Sequence, residues 1–183
     1  MAFEVNEMRA ELLFDGARSS HYKVLIQNPV DGAADLKSAF TIKAASQPPS
    51  IINPIEVPYF GRRFKVAGDR MFPEWTVTVI NDEDFLVKNA MQRWMNSINS
   101  HRANLREFAS ASPLLYTSQA QIVLYSKTGV PIKEYNFVNL WPSTINEIPM
   151  SWEAENQIQE FDVTFQYDYW TDEGTATGGP TTT

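Results

Sequence analysis

Glu160-Phe161-Asp162-Val163-Thr164-Phe165-Gln166-Tyr167-Asp168-Tyr169 is the run that fixes the fold class. Large apolar residues fill every second position, and the residues between them are acids, a threonine and a glutamine. Alternation with period two marks a β-strand that has one face on a core and the other on water. The strand is read from Gln157 to Tyr169, and its covered face is densely aromatic. Trp75-Thr76-Val77-Thr78-Val79-Ile80 repeats the pattern on a shorter scale.

Further strands are predicted over 22–27, 40–45, 119–126 and 132–140. Lys127-Thr128-Gly129 separates the last two, with Gly129 suited to the positive φ of a short hairpin turn. Residues 28–38 read as a polar loop opened by Asn28-Pro29. Residues 99–118 read as a long loop with a helical turn near Ala103 and a break at Pro113, and Trp141-Pro142 opens a turn-rich stretch.

One amphipathic helix is predicted over 82–98. Asn81 or Asp82 would cap it, and the acids at 82–84 suit its positive end. Ile80 and Phe85 stand where a hydrophobic staple packs, and Val87, Met91, Trp94, Met95 and Ile98 form one stripe. Strands dominate and no β-α alternation repeats. The chain is therefore mainly β, an antiparallel β-sandwich or barrel of two packed sheets with one flanking α-helix.

The 183 residues suit one domain, drawn over 1–170, with an N-terminal arm at 1–20 whose stretch 5–14 has modest helical character. Residues 171–183 are rich in Thr and Gly, lack an apolar anchor and read as a disordered tail. No run approaches the ~18 apolar residues of a membrane span, and the N-terminus lacks a basic-then-apolar leader, so no membrane anchor is expected and a cytoplasmic site of synthesis is.

Cysteine is absent, which excludes disulfides, thiolate metal sites and a Cys nucleophile. His21 and His101 share no metal-ligand spacing, and no nucleophile elbow, phosphate-cradling glycine loop or zinc-protease motif occurs. Acid pairs such as Glu153/Glu155 and Asp82/Asp84 are what any acidic chain supplies by chance. No catalytic, cofactor-binding or metal-ligating residue is assigned, and no enzyme activity is expected.

Charge is unevenly distributed. Residues 134–183 carry nine acids and no base, whereas the rest holds 15 bases against 13 acids, within a net charge of -7. The acidic third would repel polyphosphate, which argues against tight DNA binding there. The bland alternative is a solvated acidic face.

Residues 51–66 combine Pro54, Pro58 and Gly61 with apolar Ile51, Ile52, Ile55, Val57, Tyr59 and Phe60. The prolines exclude a central strand and point to an edge strand or to a projecting loop or hairpin, placed at 46–64. Its apolar side chains either fold back on their own core or insert into a neighbour, and the residues leave both open. Arg62, Arg63, Lys65 and Arg70 interleave with Tyr59, Phe60, Phe64 and Phe72, a mixture that also suits single-stranded nucleic acid. A structural hairpin is the plain alternative. The favoured reading is contact with the acidic third of a neighbouring copy, giving register and specificity.

Two blocks carry a resemblance. One is Lys65-Val66-Ala67-Gly68-Asp69-Arg70-Met71-Phe72-Pro73-Glu74 continuing through the Trp75 strand to Glu83; the other runs from Leu140-Trp141-Pro142-Ser143 to Trp170. Together they resemble the tail tube proteins of contractile-tailed bacteriophages, with weaker similarity from about Phe14 onward. The pattern departs from the family at 28–38, at 99–118 and after Trp170. Relatives of that family include type VI secretion tube proteins.

The resemblance implies a virion protein assembled in the host cytoplasm, in which hexameric rings stack around a channel for ejected DNA. Four strands per subunit would join those of neighbours in a continuous lumen wall. It implies as partners other copies of the chain, the tail sheath, the tape-measure protein and a baseplate tube-initiating protein. The segment from Ile51 to Arg63 matches the loop that reaches the adjacent ring, so Ile51, Ile52, Ile55, Val57, Tyr59, Phe60, Arg62 and Arg63 are candidate inter-ring contacts. Glu160, Asp162 and Asp168 are candidate lumen acids, on the alternation of their strand and the lack of bases after Lys133. A tube-initiating or terminating protein of the same fold is the alternative within the class, with the compact chain favouring the repeated subunit. A nucleic-acid-binding β module is the alternative outside it.

Overall fold

The computed structural model describes residues 5–12, 16–107 and 110–173. Nine strands and four α-helices are present among them. α1 spans Val5–Glu11, and within the expected arm residues 1–4 and 13–15 lie outside the described residues. β1 (Tyr22–Ile26) is followed by a 3-10 turn and α2 (Asp35–Thr41), then β2 (Ile42–Ala45). β3 (Ile51–Tyr59) and β4 (Arg62–Met71) form a two-stranded sheet of their own. β5 (Trp75–Ile80), α3 (Leu86–Ile98), α4 (Pro113–Tyr116), β6 (Ser118–Tyr125), β7 (Pro131–Ile145), β8 (Glu160–Gln166) and β9 (Tyr169–Glu173) complete the chain.

The main sheet runs in the order β1-β6-β7-β8-β5-β2, with β9 also on β7, and every pairing is antiparallel. β7 is long enough to serve two halves. Its first ten residues pair with β6 and β9, and Trp141–Ile145 pair with β8. Between the two parts Asn139 takes a left-handed φ of 57°, a conformation asparagine tolerates better than most residues and one that bends a strand locally.

The halves face each other across an aromatic core. Trp75 of β5 stacks on Phe137 of β7 at 4.4 Å, and Phe165 of β8 lies 5.7 Å from the Trp75 ring. Val77, Val79, Phe161 and Val163 extend the same buried layer, and these are the inward positions of the two alternating strands. α3 covers this layer from one side. Its fully buried Trp94 tilts over Phe165 and donates through Nε1 to the Tyr116 carbonyl at 2.7 Å, anchoring the long loop that precedes β6. The arrangement is mainly β, two packed half-sheets with a flanking helix.

Several boundaries differ from expectation, each for an identifiable reason. Residues 35–41 are helical where a loop and the start of a strand were expected. Asp31 caps the preceding turn through the Ala33 N–H and Ser38 bonds back to the Asp35 carbonyl, so the polar residues satisfy local backbone groups. α3 starts at Leu86 and not at 82, and neither Asn81 nor Asp82 caps it. Asn81 is buried and bonded to Gln159, while Asp84 accepts from the Leu86 N–H at 3.0 Å. Phe85 adopts a positive φ of 51° and stays exposed beside Lys88, so the staple with Ile80 does not form. On the helix, Ala90 and Ser97 join Val87, Met91 and Trp94 in the core, and Met95 and Ile98 are half-buried.

Residues 65–71 continue β4, the second limb of a hairpin whose reversal lies at Phe60-Gly61, so the hairpin extends beyond the 46–64 expected for it. β7 continues through Trp141-Pro142; the proline lies where the register of the β7–β8 pair shifts, which tolerates its missing N–H. Finally, Thr171, Asp172 and Glu173 belong to β9. Asp172 pairs with Lys133 at 2.7 Å, which holds the Asp172 carboxyl below its ordinary value, and Trp170 packs on Tyr135. The tail expected from 171 therefore gives way to a strand, and residues 174–183 lie outside the described ones.

Candidate assembly surfaces

The β3–β4 hairpin stands clear of the barrel. Every residue of both strands is exposed except half-buried Gly68. Partners in an antiparallel pair point to the same side, so the register sorts the side chains into two faces. Ile51, Ile55, Val57 and Tyr59 share one face with Met71, Val66, Phe64 and Arg62. Ile52, Pro54, Glu56 and Pro58 share the other with Arg70, Ala67, Lys65 and Arg63. One face is a continuous apolar strip, and the opposite face carries three of the four bases. A Glu56–Arg63 ion pair at 3.1 Å lies on the charged side.

Two features shape this hairpin. The turn residues Phe60 and Gly61 both have positive φ, 41° and 77°, as a two-residue type I′ turn requires. Phenylalanine is an unfavourable choice there, and its ring is 90% exposed at the tip. Lower down, β4 carries an extra residue opposite Asn53, and Gly68 occupies that bulge. A Cβ on Gly68 would stand 2.5 Å from the Asn53 carbonyl oxygen, so only glycine fits.

Three aromatic side chains fix the hairpin's base. Trp75 Nε1 donates to the Ser46 carbonyl at 2.9 Å, Trp170 Nε1 donates to the Pro49 carbonyl at 3.3 Å, and Phe72 packs edge-on against Tyr167. The candidate contacts Ile51, Ile52, Ile55, Val57, Tyr59, Phe60, Arg62 and Arg63 are thus brought together on one rigidly rooted projection. Ile52 and Arg63 sit on the charged face, apart from the apolar strip.

The candidate acids are divided. Glu160 and Asp162 share the outward face of β8, beside β5 and β2. There Lys43 meets Glu160 at 2.6 Å, Thr78 donates to Asp162 at 2.7 Å, Thr76 meets Thr164 at 3.1 Å and Gln166 donates to Glu74 at 3.2 Å. These form a cross-strand ladder of polar pairs. Asp168 is not on it. It lies in the bend between β8 and β9, where its carboxylate accepts from Asn139 Nδ2 at 2.6 Å and its N–H donates to the Val138 carbonyl.

At the other end of β5 and β8 is a surface the sequence reading passed over. The connection from β7 to β8, residues 146–159, leaves Met150, Trp152 and Ile158 exposed, Trp152 fully so at 103%. It folds around a groove of about 950 Å³ lined by Ile148, Met150, Trp152 and Ile158. Three large apolar residues in a loop without periodicity were the available signal. His21 and His101 are far apart in sequence, and no group of three metal-ligating side chains occurs among the described residues. No helix there is long and apolar enough to cross a membrane.

A two-part β-barrel with a rooted, exposed hairpin and a polar sheet face defines a structural building block, one whose hairpin carries its apolar strip on the surface. Its fold is shared with chains from a sheath–tube complex of an extracellular contractile injection system (TM-score 0.63, 16% identity, 95% of this chain and 100% of that one). It is shared also with a chain from the tube-terminating cap of the anti-feeding prophage (TM-score 0.63, 20% identity, 87% and 92%). The chain belongs to the phage tail tube protein family, whose profile matches residues 17–173. It is 36% identical over 132 residues to the tail tube protein gp19 of Enterobacteria phage T4, covering 72% of this chain and 79% of that protein. It is 26% identical over 168 residues to the tail tube protein of Serratia phage KSP90, covering 89% and 93%. The baseplate tail-tube junction protein gp54 of phage T4 matches at 28% over 109 residues, 60% of this chain and 32% of that protein. The protein is accordingly a structural, β-rich component of a contractile phage tail and thus of the virion.

Proposed function

We propose that the chain is the repeated subunit of the inner tail tube, building hexameric rings that stack into a conduit for DNA ejection. The observation that carries this is the β3–β4 hairpin: a wholly exposed, one-sided apolar strip needs a cover, and a neighbouring ring supplies one. The alternative, a subunit used once to start or end the tube, receives less support, since the match extends over 79% of the phage T4 tube protein and only 32% of the junction protein.

In this reading the sheath surrounds the tube, the tape-measure protein occupies it before ejection, and a baseplate protein seeds it. Glu160 and Asp162 face the channel from the polar ladder, with Asp168 near the end of the same strand, and like charge keeps passing DNA from adhering. A reconstruction of the tube that placed Glu160 and Asp162 on the outer wall would end the lumen assignment.

Negative-stain imaging of the purified protein tests the main reading. Rings or hollow tubes are expected, spontaneously or on baseplate seeds. Shortening the segment from Ile51 to Arg63 should leave the barrel folded and stop polymerisation, and tubes of normal length from that variant would refute the inter-ring role of the hairpin.

A further inference from the structure

The barrel has two unlike ends. Trp75 pairs with Phe165 at one end of the β5–β8 ladder and Ile80 with Glu160 at the other, about 17 Å away at the usual rise per residue. The hairpin leaves from the Trp75 end, because Ala45 of β2 pairs with Val77 and Trp75 itself holds Ser46. With nine residues in β3 it reaches about 30 Å outward. The 146–159 connection is fastened at the Ile80 end, where Asn81 donates to the Gln159 carbonyl and Asn146 to that of Asp162.

The two features are complementary in kind. The hairpin presents an apolar strip and bears Arg62, Arg63, Lys65 and Arg70 against Glu56 and Asp69. The opposite connection presents exposed Met150, Trp152 and Ile158 around its groove, bears Glu147, Glu153 and Glu155, and contains no base. Each surface is uncovered by the described residues of its own chain, and the ladder's length keeps them apart.

We propose that the groove of residues 148–160 is the receptor for the β3–β4 hairpin of a second copy of this chain. The assignment rests on the tube-subunit reading and specifies its contact. The strip of Ile55, Val57, Phe64 and Val66 covers Met150, Trp152 and Ile158. Arg62, on the strip's own face, and the long Arg63 and Lys65 side chains, reaching round the hairpin's edge from the opposite face, meet Glu153 and Glu155, the two acids that follow Trp152. Each chain owns one hairpin and one receptor at opposite ends, so the contact is heterologous and repeats without closing. All copies then point the same way. A reversed neighbour would oppose basic hairpin to basic hairpin, which like-charge repulsion disfavours.

The absence of cysteine allows a direct test. Val57→Cys and Met150→Cys, combined in one full-length chain and oxidised after assembly, should give a covalent ladder extending beyond one ring; either change alone should give dimers at most. In parallel, the hairpin pair Arg63→Glu with Lys65→Glu, and the loop pair Glu153→Lys with Glu155→Lys, should each raise the critical concentration for tubes by about tenfold or more. All four changes together should bring it back to within about threefold of wild type, with every subunit melting as wild type does. Tubes that assemble normally with the loop pair changed, a four-change chain that stays unassembled though folded, or tubes of the double-cysteine chain without a ladder would each overturn the receptor. Failure of the wild type to form rings or tubes even on seeds would instead overturn the tube-subunit reading, and the receptor with it.

Discussion

Asp168 Oδ2 accepts a 2.6 Å hydrogen bond from Asn139 Nδ2 at the residue where β7 bends from one half of the barrel into the other. The Asp168 N–H adds a bond to the Val138 carbonyl, so both the side chain and the backbone of Asp168 brace the bend. Glu160 and Asp162 make side-chain pairs across strands, whereas this acid braces a bend. Asp168→Ala should lower the unassembled subunit's stability by ~1 kcal/mol, a charge-assisted hydrogen bond discounted for exposure, or about 2–4 °C in Tm. Asp168→Asn should recover most of that loss. An Asp168→Ala melt indistinguishable from wild type would show the bend is held by the backbone alone.

Gly68 should be irreplaceable for assembly and dispensable for folding. A methyl group at this position meets the Asn53 carbonyl oxygen at 2.5 Å and Ile55 Cγ1 at 2.9 Å, so β3 and β4 must part or slip. A slip by one residue would exchange the apolar and charged faces. Because the hairpin is exposed along its length, Gly68→Ala should change the barrel's unfolding free energy, read from denaturant melts, by no more than ~0.5 kcal/mol. Imaging should show few or no tubes from the same preparation.

Both alternating strands were legible because each position is decided locally: a buried aromatic or aliphatic residue at every second place leaves one register that covers them. The projecting hairpin was legible from Pro54 and Pro58, which deny the ladder two donors. Its two-faced character was not, since it depends on the Phe60-Gly61 turn and the Gly68 bulge, which together decide which β4 residues face which β3 residues. The start of α3 was misplaced because Asp82 and Asp84 look like cap and first-turn acids, while in the fold both bind Lys37 from α2, a partner 45 and 47 residues earlier in the chain. The 146–159 connection was read as turns up to Gln157, where the strand was expected to begin, because its apolar residues follow no period. Only the fold places it at the far end of the ladder from the hairpin.

The Lys37 bridge predicts a specific pH dependence. Hydrogen bonds from the Lys37 ammonium hold the Asp82 and Asp84 carboxyls below their ordinary value of 3.8, and the same bonds hold Lys37 above 10.5. Depressed carboxyl values stabilise the fold above the unfolded-state value, and that contribution is lost as pH falls through the folded-state values. The raised lysine contributes below 10.5, and its share is lost as pH rises through its folded value. The Tm difference between wild type and Lys37→Met should therefore be flat from about pH 5 to about pH 9 and shrink on the acid side below 3.8. All three side chains are partly exposed, so the difference should also narrow as salt is raised. A difference that persists unchanged at acid pH would assign it to packing of the lysine stem.

Phe60 separates the demands of folding from those of assembly at a single position. Its left-handed backbone costs a non-glycine residue about 1 kcal/mol or more, whereas asparagine is the preferred first residue of this turn type. Phe60→Asn should therefore favour the turn itself, read as stronger protection of the β3–β4 amides against hydrogen exchange in the unassembled subunit. Within the assembly the outcome should reverse. The phenyl ring at the tip lies edge-on to Tyr59 at 4.7 Å and is otherwise exposed among the described residues, so in the proposed inter-ring contact a neighbouring copy would bury it. Removing a ring worth about 1.5–3 kcal/mol on burial should raise the critical concentration for tubes by roughly tenfold or more, even as the hairpin becomes better ordered. Better-protected amides with unchanged tube formation would show that the tip stays in solvent and that the contact lies lower on the apolar strip, around Val57 and Phe64.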